Sequence, residues 1–318
     1  MNKHIAVVGP TASGKTGLAI SIAKAFGGEV VSCDSMQIYK GMNIGTATPD
    51  VNERSGVVHH LMDVLDIDKM YSVSDYVKDA KEVCDKIFMR GNIPVFCGGT
   101  GLYIDSYLSG VEFGEYENDD NIRNSLMLEA KENGIDVLYD RLCKVDPEAA
   151  QKIKPENVKR VVRALEVYES TGITITEWNR RSKINAQKKD CLIIGLDFED
   201  REILYDRIEK RVDMMLEAGL LDEAESLYKA GIKNSPTAGQ AIGYKEFYPY
   251  FENQSSLEEC IDVLKKNSRH YAKRQLTWFR RNPDIYWIIR GCDDEKYMIK
   301  EAFVKIEEYL DRSLDENL

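Results

Sequence analysis

The sequence has no C-x-x-C pair, no long apolar run and no internal repeat, and each absence closes a class of function. Its seven cysteines, at 33, 84, 97, 143, 191, 260 and 292, are odd in number and scattered. That excludes a disulfide framework and argues against a zinc site, so a reducing cytoplasmic setting is expected. The longest apolar stretches, such as 5–8 and 285–289, are far too short to span a bilayer, and no membrane association is expected. The first residues lack the apolar run and small-residue cleavage site of a signal peptide. A basic surplus is missing too: 43 Lys and Arg face 54 Asp and Glu, a net charge of -11. The global sign does not decide about a polyanionic partner, because only local patches steer one. Such patches exist at Lys152, Lys154, Lys159, Arg160 and Arg163, across 180–189, and across 265–281, while acid gathers at 112–120 and after Asp311. What is present, 318 residues with 43% apolar and 31% charged, is the balance of a folded chain long enough for two domains.

Both ends of the chain read as strands alternating with helices. Ile5-Ala6-Val7-Val8 is a short buried-type strand, followed by a glycine-rich loop and an amphipathic stretch to about Phe26. Residues 29–33 form a second strand ending at Asp34. Residues 76–90 keep Val77, Ala80, Val83, Cys84 and Ile87 on one helical face, and 93–97 run as a third strand into Gly98-Gly99-Thr100-Gly101. Such alternation implies βαβ units. From 112 to 189 the pattern turns helical and charged; residues 157–171 place Val158, Val161, Val162, Leu165 and Val167 inward, and Gly172 stops the helix. Strands return at 191–196 and 286–289, between helices at 201–218, 221–230, 258–281 and 295–310. The expected fold is α/β: a P-loop NTPase-like parallel sheet flanked by helices, made from residues 1–111 and 190–318, with an all-helical insertion at 112–189.

Gly9-Pro10-Thr11-Ala12-Ser13-Gly14-Lys15-Thr16 matches G-x-x-x-x-G-K-[ST] in full, after a strand and before a helix. The glycines let successive N–H groups point inward as an anion nest at the positive end of a helix. Lys15 adds a cation, and the Thr16 hydroxyl suits Mg²⁺. The loop is expected to bind a di- or triphosphate, but it does not say which bond breaks.

Asp34 ends the second strand, on the sheet edge where open α/β sheets bind ligands. A carboxylate there ligates Mg²⁺ or its waters, acts as a general base, or caps a turn. Gln37 offers an amide suited to a base edge. Thr100, on the same edge, contacts a substrate amine or a phosphate, or caps the next helix. The third strand lacks the terminal Asp of a Walker-B metal site, which weakens kinase chemistry without excluding it. Arg207 and Arg211, four apart on one helix, form either a lid over phosphate or a solvated face paired with Glu209 and Asp213. His59 and His60 read as structural, since neighbours in a strand point to opposite sides. Trp278 and Phe279 read as core.

These residues resemble the tRNA dimethylallyltransferase (tRNA isopentenyltransferase, IPP transferase) family over nearly the whole chain. The likeness runs through the loop at 9–16, Asp34-Ser35-Met36-Gln37 and on to Ala47, His59-His60-Leu61-Met62-Asp63, and Gly98-Gly99-Thr100-Gly101-Leu102-Tyr103. It continues through 160–167, Gly243-Tyr244-Lys245, and 273–280. One departure is Thr48, where the family often carries Lys, so a flanking phosphate contact is expected to be weaker. The chain also ends without the zinc-finger extension of eukaryotic members, as expected for the bacterial type. The resemblance implies transfer of a dimethylallyl group from dimethylallyl diphosphate to N6 of the adenosine 3′ to the anticodon, position 37, in tRNAs reading codons that start with U. It assigns catalysis to Asp34 as base, Thr100 beside the amine, and Lys15. It gives diphosphate to residues 9–16 (Gly9, Pro10, Thr11, Ala12, Ser13, Gly14, Lys15, Thr16) and Arg211, with Mg²⁺ at Thr16. Contact with the tRNA anticodon stem-loop is implied at Asp34, Ser35, Met36, Gln37, Thr100 and Arg123, and at Lys159, Arg160, Val161, Val162 and Arg163. Further along it is implied at Gln240, Gly243, Tyr244 and Lys245, then at Lys273, Arg274, Gln275, Thr277 and Arg280. A monomer is expected. The 180–189 cluster either joins the domains or meets RNA. The competing readings are an ATP-using P-loop kinase of small molecules and a non-catalytic, nucleotide-dependent RNA-binding protein.

Overall fold

The computed structural model describes residues 2–111, 120–184, 186–291 and 295–315; the acidic stretch 112–119 and Cys292 lie outside them. The chain divides into two compact units, Met1–Leu108 with Lys189–Leu318, and Ser109–Lys188.

The first unit is built on strands β1 (His4–Val8), β2 (Gly28–Ser32), β3 (His59–His60), β4 (Ile93–Gly98), β5 (Cys191–Phe198) and β6 (Ile285–Arg290). All pair in parallel, in the order β3-β2-β4-β1-β5-β6. Every residue of β1 is buried, as a strand covered on both faces requires. Ile5 and Val7 pack with Leu18, Ile22, Met298 and Ile306 on one side. Ala6 and Val8 join Tyr76, Cys84, Tyr103, Tyr107 and Phe279 on the other. The chain leaves β1 for β2 on one side and later crosses to β5 on the opposite side. That reversal opens a crevice at the carboxyl ends of β1 and β4.

Beside the sheet, a further apolar cluster joins Ile38, Tyr39 and Met42 to the helices Arg201–Glu217, Leu220–Lys229 and Leu257–Phe279. One carboxylate pins the turn between them. Glu223 accepts from the backbone N–H groups of Asn43, Ile44 and Gly45 and from the Tyr244 hydroxyl. At the sheet's edge, the buried Glu29 carboxylate receives Arg90, Asn92 and His60 at 2.7–2.8 Å. These donors, led by Arg90, hold its carboxyl down to about 2.

The second unit packs the helices Asp120–Asn133, Ile135–Val145 and Val158–Thr171 around Leu126, Leu138, Leu142 and Leu165. Val161 and Val162 are in that core, 0% and 1% exposed. Their side chains therefore serve the core of the unit. Lys159 and Arg160 beside them are exposed, as is Arg123. Arg180 and Arg181 turn onto Glu177, so part of the 180–189 basic cluster is neutralised within the unit. Among the described residues, cysteines 33, 84, 97, 143, 191 and 260 are free, and no helix is long and apolar enough to cross a membrane.

Candidate active site

The loop after β1 has the backbone of an anion nest. Gly9 adopts φ +143°, and a Cβ there would meet the Leu196 carbonyl oxygen at 2.6 Å, so only glycine fits. Ala12 (φ 61°) and Gly14 (φ 91°) are left-handed, curling the chain into the helix Lys15–Phe26, whose first turn carries no acidic residue. The Lys15 ammonium donates to the Pro10 carbonyl at 2.6 Å, and burial pushes its pKa down to about 8. Thr16 borders the same small cavity as Cys97, at the end of β4. The Ser13 hydroxyl is buried with no hydrogen-bond partner among the described residues.

Both arginines of the proposed lid reach this loop. Arg207 Nε donates to the Ala12 carbonyl at 3.0 Å, and Arg211 Nη1 donates to Thr11 Oγ1 at 3.3 Å. Their acidic neighbours face elsewhere: Glu209 pairs with Arg269, and Asp213 with Lys265, both on the helix Leu257–Phe279. The acids clip two helices together and leave the arginines to the phosphate loop.

Two cavities lie side by side here. The smaller, about 60 Å³, is bordered by Lys15, Thr16, Cys97, Gly98 and Gly99. The larger, about 260 Å³, is bordered by Ser35, Met36, Ile208, Val212, Met215, Gln240, Ala241, Gly243, Lys245, Leu264 and Arg274. Thr11, Asp34, Thr46, Arg211 and Tyr271 border both. One oxygen of Asp34 accepts from the Met36 N–H at 2.9 Å, which orients the carboxylate at that boundary. Thr100 borders neither cavity. Its hydroxyl accepts from the Ser35 N–H at 3.1 Å and donates to the Ser35 hydroxyl at 3.5 Å.

Two amides expected to meet RNA are otherwise employed. Gln37 accepts from the Ser32 hydroxyl at 2.9 Å and donates to the Thr46 carbonyl at 3.2 Å, stitching a turn. Gln275, 5% exposed, accepts from the Thr11 N–H at 2.9 Å and donates to the Gly99 carbonyl at 3.2 Å. It staples the phosphate loop to the turn after β4, and a Cβ on Gly99 would collide with its Nε2 at 1.8 Å. Tyr244 is fully buried, its hydroxyl held by Glu223. The polar groups of Gln37, Gln275 and Tyr244 thus make hydrogen bonds inside the protein, and Gln37 and Gln275 also border the smaller cavity. Lys273, Arg274, Thr277 and Arg280 are exposed on the helix Leu257–Phe279 and its end, with Arg280 also reaching Asp197 at 2.6 Å. Trp278 donates to Asp105 and packs, with buried Phe279, against the main core.

The histidine pair divides. His60 serves Glu29, whereas His59 borders the smaller cavity, with Nδ1 on the Val57 carbonyl and a buried Nε2 lacking a partner among the described residues. Sequence reasoning also passed over Tyr271. Its signal was its place one helical turn before Gln275, on the face that staples the loop.

The IPP transferase family model matches residues 37–282. The tRNA dimethylallyltransferase of Acetivibrio thermocellus is 46% identical over 301 residues, covering 94% of this chain and 96% of its own. That of Halalkalibacterium halodurans is 45% identical over 310 residues, covering 96% and 98%. Among solved structures, a full-length tRNA isopentenylpyrophosphate transferase from Bacillus halodurans superposes with a TM-score of 0.74 at 41% identity, over 100% of this chain and 99% of that one. A eukaryotic dimethylallyltransferase acting on tRNA gives 0.78 at 34% identity, over 91% and 74%. The chain belongs to the IPP transferase family.

Proposed function

We propose that this chain transfers a dimethylallyl group from dimethylallyl diphosphate to N6 of the adenosine 3′ to the anticodon, position 37, of tRNAs reading codons that begin with U. The observation that carries the reading is the boundary between the two cavities, where a carboxylate and a guanidinium face both. Breaking the C–O bond of an allylic diphosphate sends charge onto the leaving group. The loop amides, Lys15 and Arg211 stabilise that charge by preorganised electrostatics. The exocyclic amine of adenine is a weak nucleophile, and Asp34 takes its proton as the C–N bond forms. Thr100, through Ser35, keeps that edge in register.

The donor set fits Mg²⁺. Thr16 and Asp34 offer hard oxygens on one cavity, and no cluster of three His, Cys, Asp or Glu stands among the described residues. Thr16 would hold the cation, which would supply further neutralisation of the leaving group. The stem-loop is received by Ser35, Met36, Gln240 and Lys245 near the larger cavity and by exposed Lys273, Arg274, Thr277 and Arg280. In the second unit, Arg123, Lys159, Arg160 and Arg163 contribute phosphate contacts. The reading takes the protein as a monomer acting on tRNA in the cytoplasm.

The test is the mass of an anticodon stem-loop incubated with dimethylallyl diphosphate or with ATP. A gain of one five-carbon unit with the first, and none with the second, supports the reading. An unchanged RNA with phosphate transfer from ATP to a metabolite would make the chain a kinase.

A further inference from the structure

We propose that Tyr271 is a catalytic residue whose aromatic ring stabilises the positive charge that develops on the allyl group between the two cavities. The inference rests on the prenyl-transfer reading. Five residues border both cavities. Thr11 and Arg211 suit the departing diphosphate, Asp34 suits the amine proton, and Thr46 offers a hydroxyl. Tyr271 alone offers an aromatic surface, at the place the five-carbon group has to cross.

The charge balance of the step calls for such a surface. The C–O bond breaks with its electron pair going to diphosphate. The N6 lone pair forms the C–N bond, and the N6 proton goes to Asp34. Between these events the allyl carbons carry positive charge that neither Arg211 nor Lys15 can stabilise, and a fully ionic partner would trap it. An aromatic quadrupole attracts a cation without bonding to it. The Tyr271 ring already takes one cation, since the Arg274 guanidinium lies over it, 5.6 Å from the centroid. Tyr271 lies one helical turn before Gln275, which is itself stapled to the loop. Burial and the nearby Asp34 charge push its phenol up, so it stays protonated and cannot capture the allyl group as a phenolate.

The experiment varies the ring's electron density at constant shape. Tyr271→Phe is the reference for loss of the hydroxyl. It is compared with full-length proteins in which that phenylalanine carries one, two or three ring fluorines. Each is assayed for single-turnover prenyl transfer to an anticodon stem-loop, for pyrophosphate affinity and for RNA affinity. The expected result is a stepwise fall in the chemical rate, about 10- to 30-fold across the series, with both affinities within about twofold. A rate independent of fluorine content overturns the proposal. So does a series in which RNA affinity tracks fluorine and the rate does not, which would make Tyr271 a rest for Arg274. Wild-type protein that prenylates no RNA would instead refute the underlying function, so the two failures are separable.

Discussion

Replacing Gln275 by leucine separates a staple from an RNA contact. The side chain is 5% exposed, and its two hydrogen bonds join the phosphate loop at Thr11 to the turn at Gly99. Gln275→Leu conserves volume but deletes both bonds, each contributing about 1 kcal/mol net. It also leaves the Thr11 N–H and the Gly99 carbonyl short of a partner, at about 1 kcal/mol or more apiece. The total is roughly 4 kcal/mol, or a Tm lower by roughly 6 °C in a chain of this size. Because the loosened segment is the diphosphate cradle, pyrophosphate affinity should fall about tenfold, while affinity for an anticodon stem-loop changes less than about threefold. Calorimetry, pyrophosphate titration and RNA gel shift read the three quantities. A variant that melts and binds pyrophosphate like wild type, yet loses RNA affinity tenfold, would refute the reasoning.

Other expectations are more local. Asp34→Ala should cut single-turnover prenyl transfer by about 10²- to 10⁴-fold while RNA affinity stays within a few-fold, since a general base contributes to the rate; equal losses in both would make Asp34 a binding residue. Glu29→Gln should cost about 2–3 kcal/mol at neutral pH. The carboxyl is held near 2 in the folded state, so its contribution is complete above about 4.5 and is lost as pH falls through about 2; urea midpoints for both proteins across that window check it. Lys15, lowered to about 8, should hold pyrophosphate best below pH 8 and progressively less well above it. The Lys15→Ala protein should lack that component, as titration calorimetry at several pH values would record.

The loop and the sheet were legible because their determinants are local. Glycines at fixed offsets, a lysine and a threonine specify the nest within eight residues, and a run such as Ile5–Val8 leaves little choice but a doubly covered strand. The valines at 161 and 162 show where family likeness and periodicity pull apart: helical spacing already turned them inward, and the core of the second unit agrees with the spacing. Gln37 and Gln275 were harder. An amide that reads a base and an amide that staples two turns look the same in sequence, because the partners lie 264 and 176 residues away for Gln275. His59 escaped for a related reason: its side was set by a two-residue strand pairing with β2, which no local pattern announces. Arg207 and Arg211 were resolved only when Glu209 and Asp213 turned to a different helix.

Which bond the cradle breaks decides between prenyl and phosphoryl transfer. Dimethylallyl diphosphate carrying oxygen-18 at the position bridging carbon and phosphorus, incubated with the enzyme and an anticodon stem-loop, reports this directly in the mass of the released diphosphate. Cleavage at carbon leaves all of the label in the diphosphate and none in the RNA, as this arrangement of Lys15, Arg211 and Asp34 predicts. Label recovered in a five-carbon alcohol would mean that phosphorus is attacked and that the site works as a phosphoryl-transfer centre.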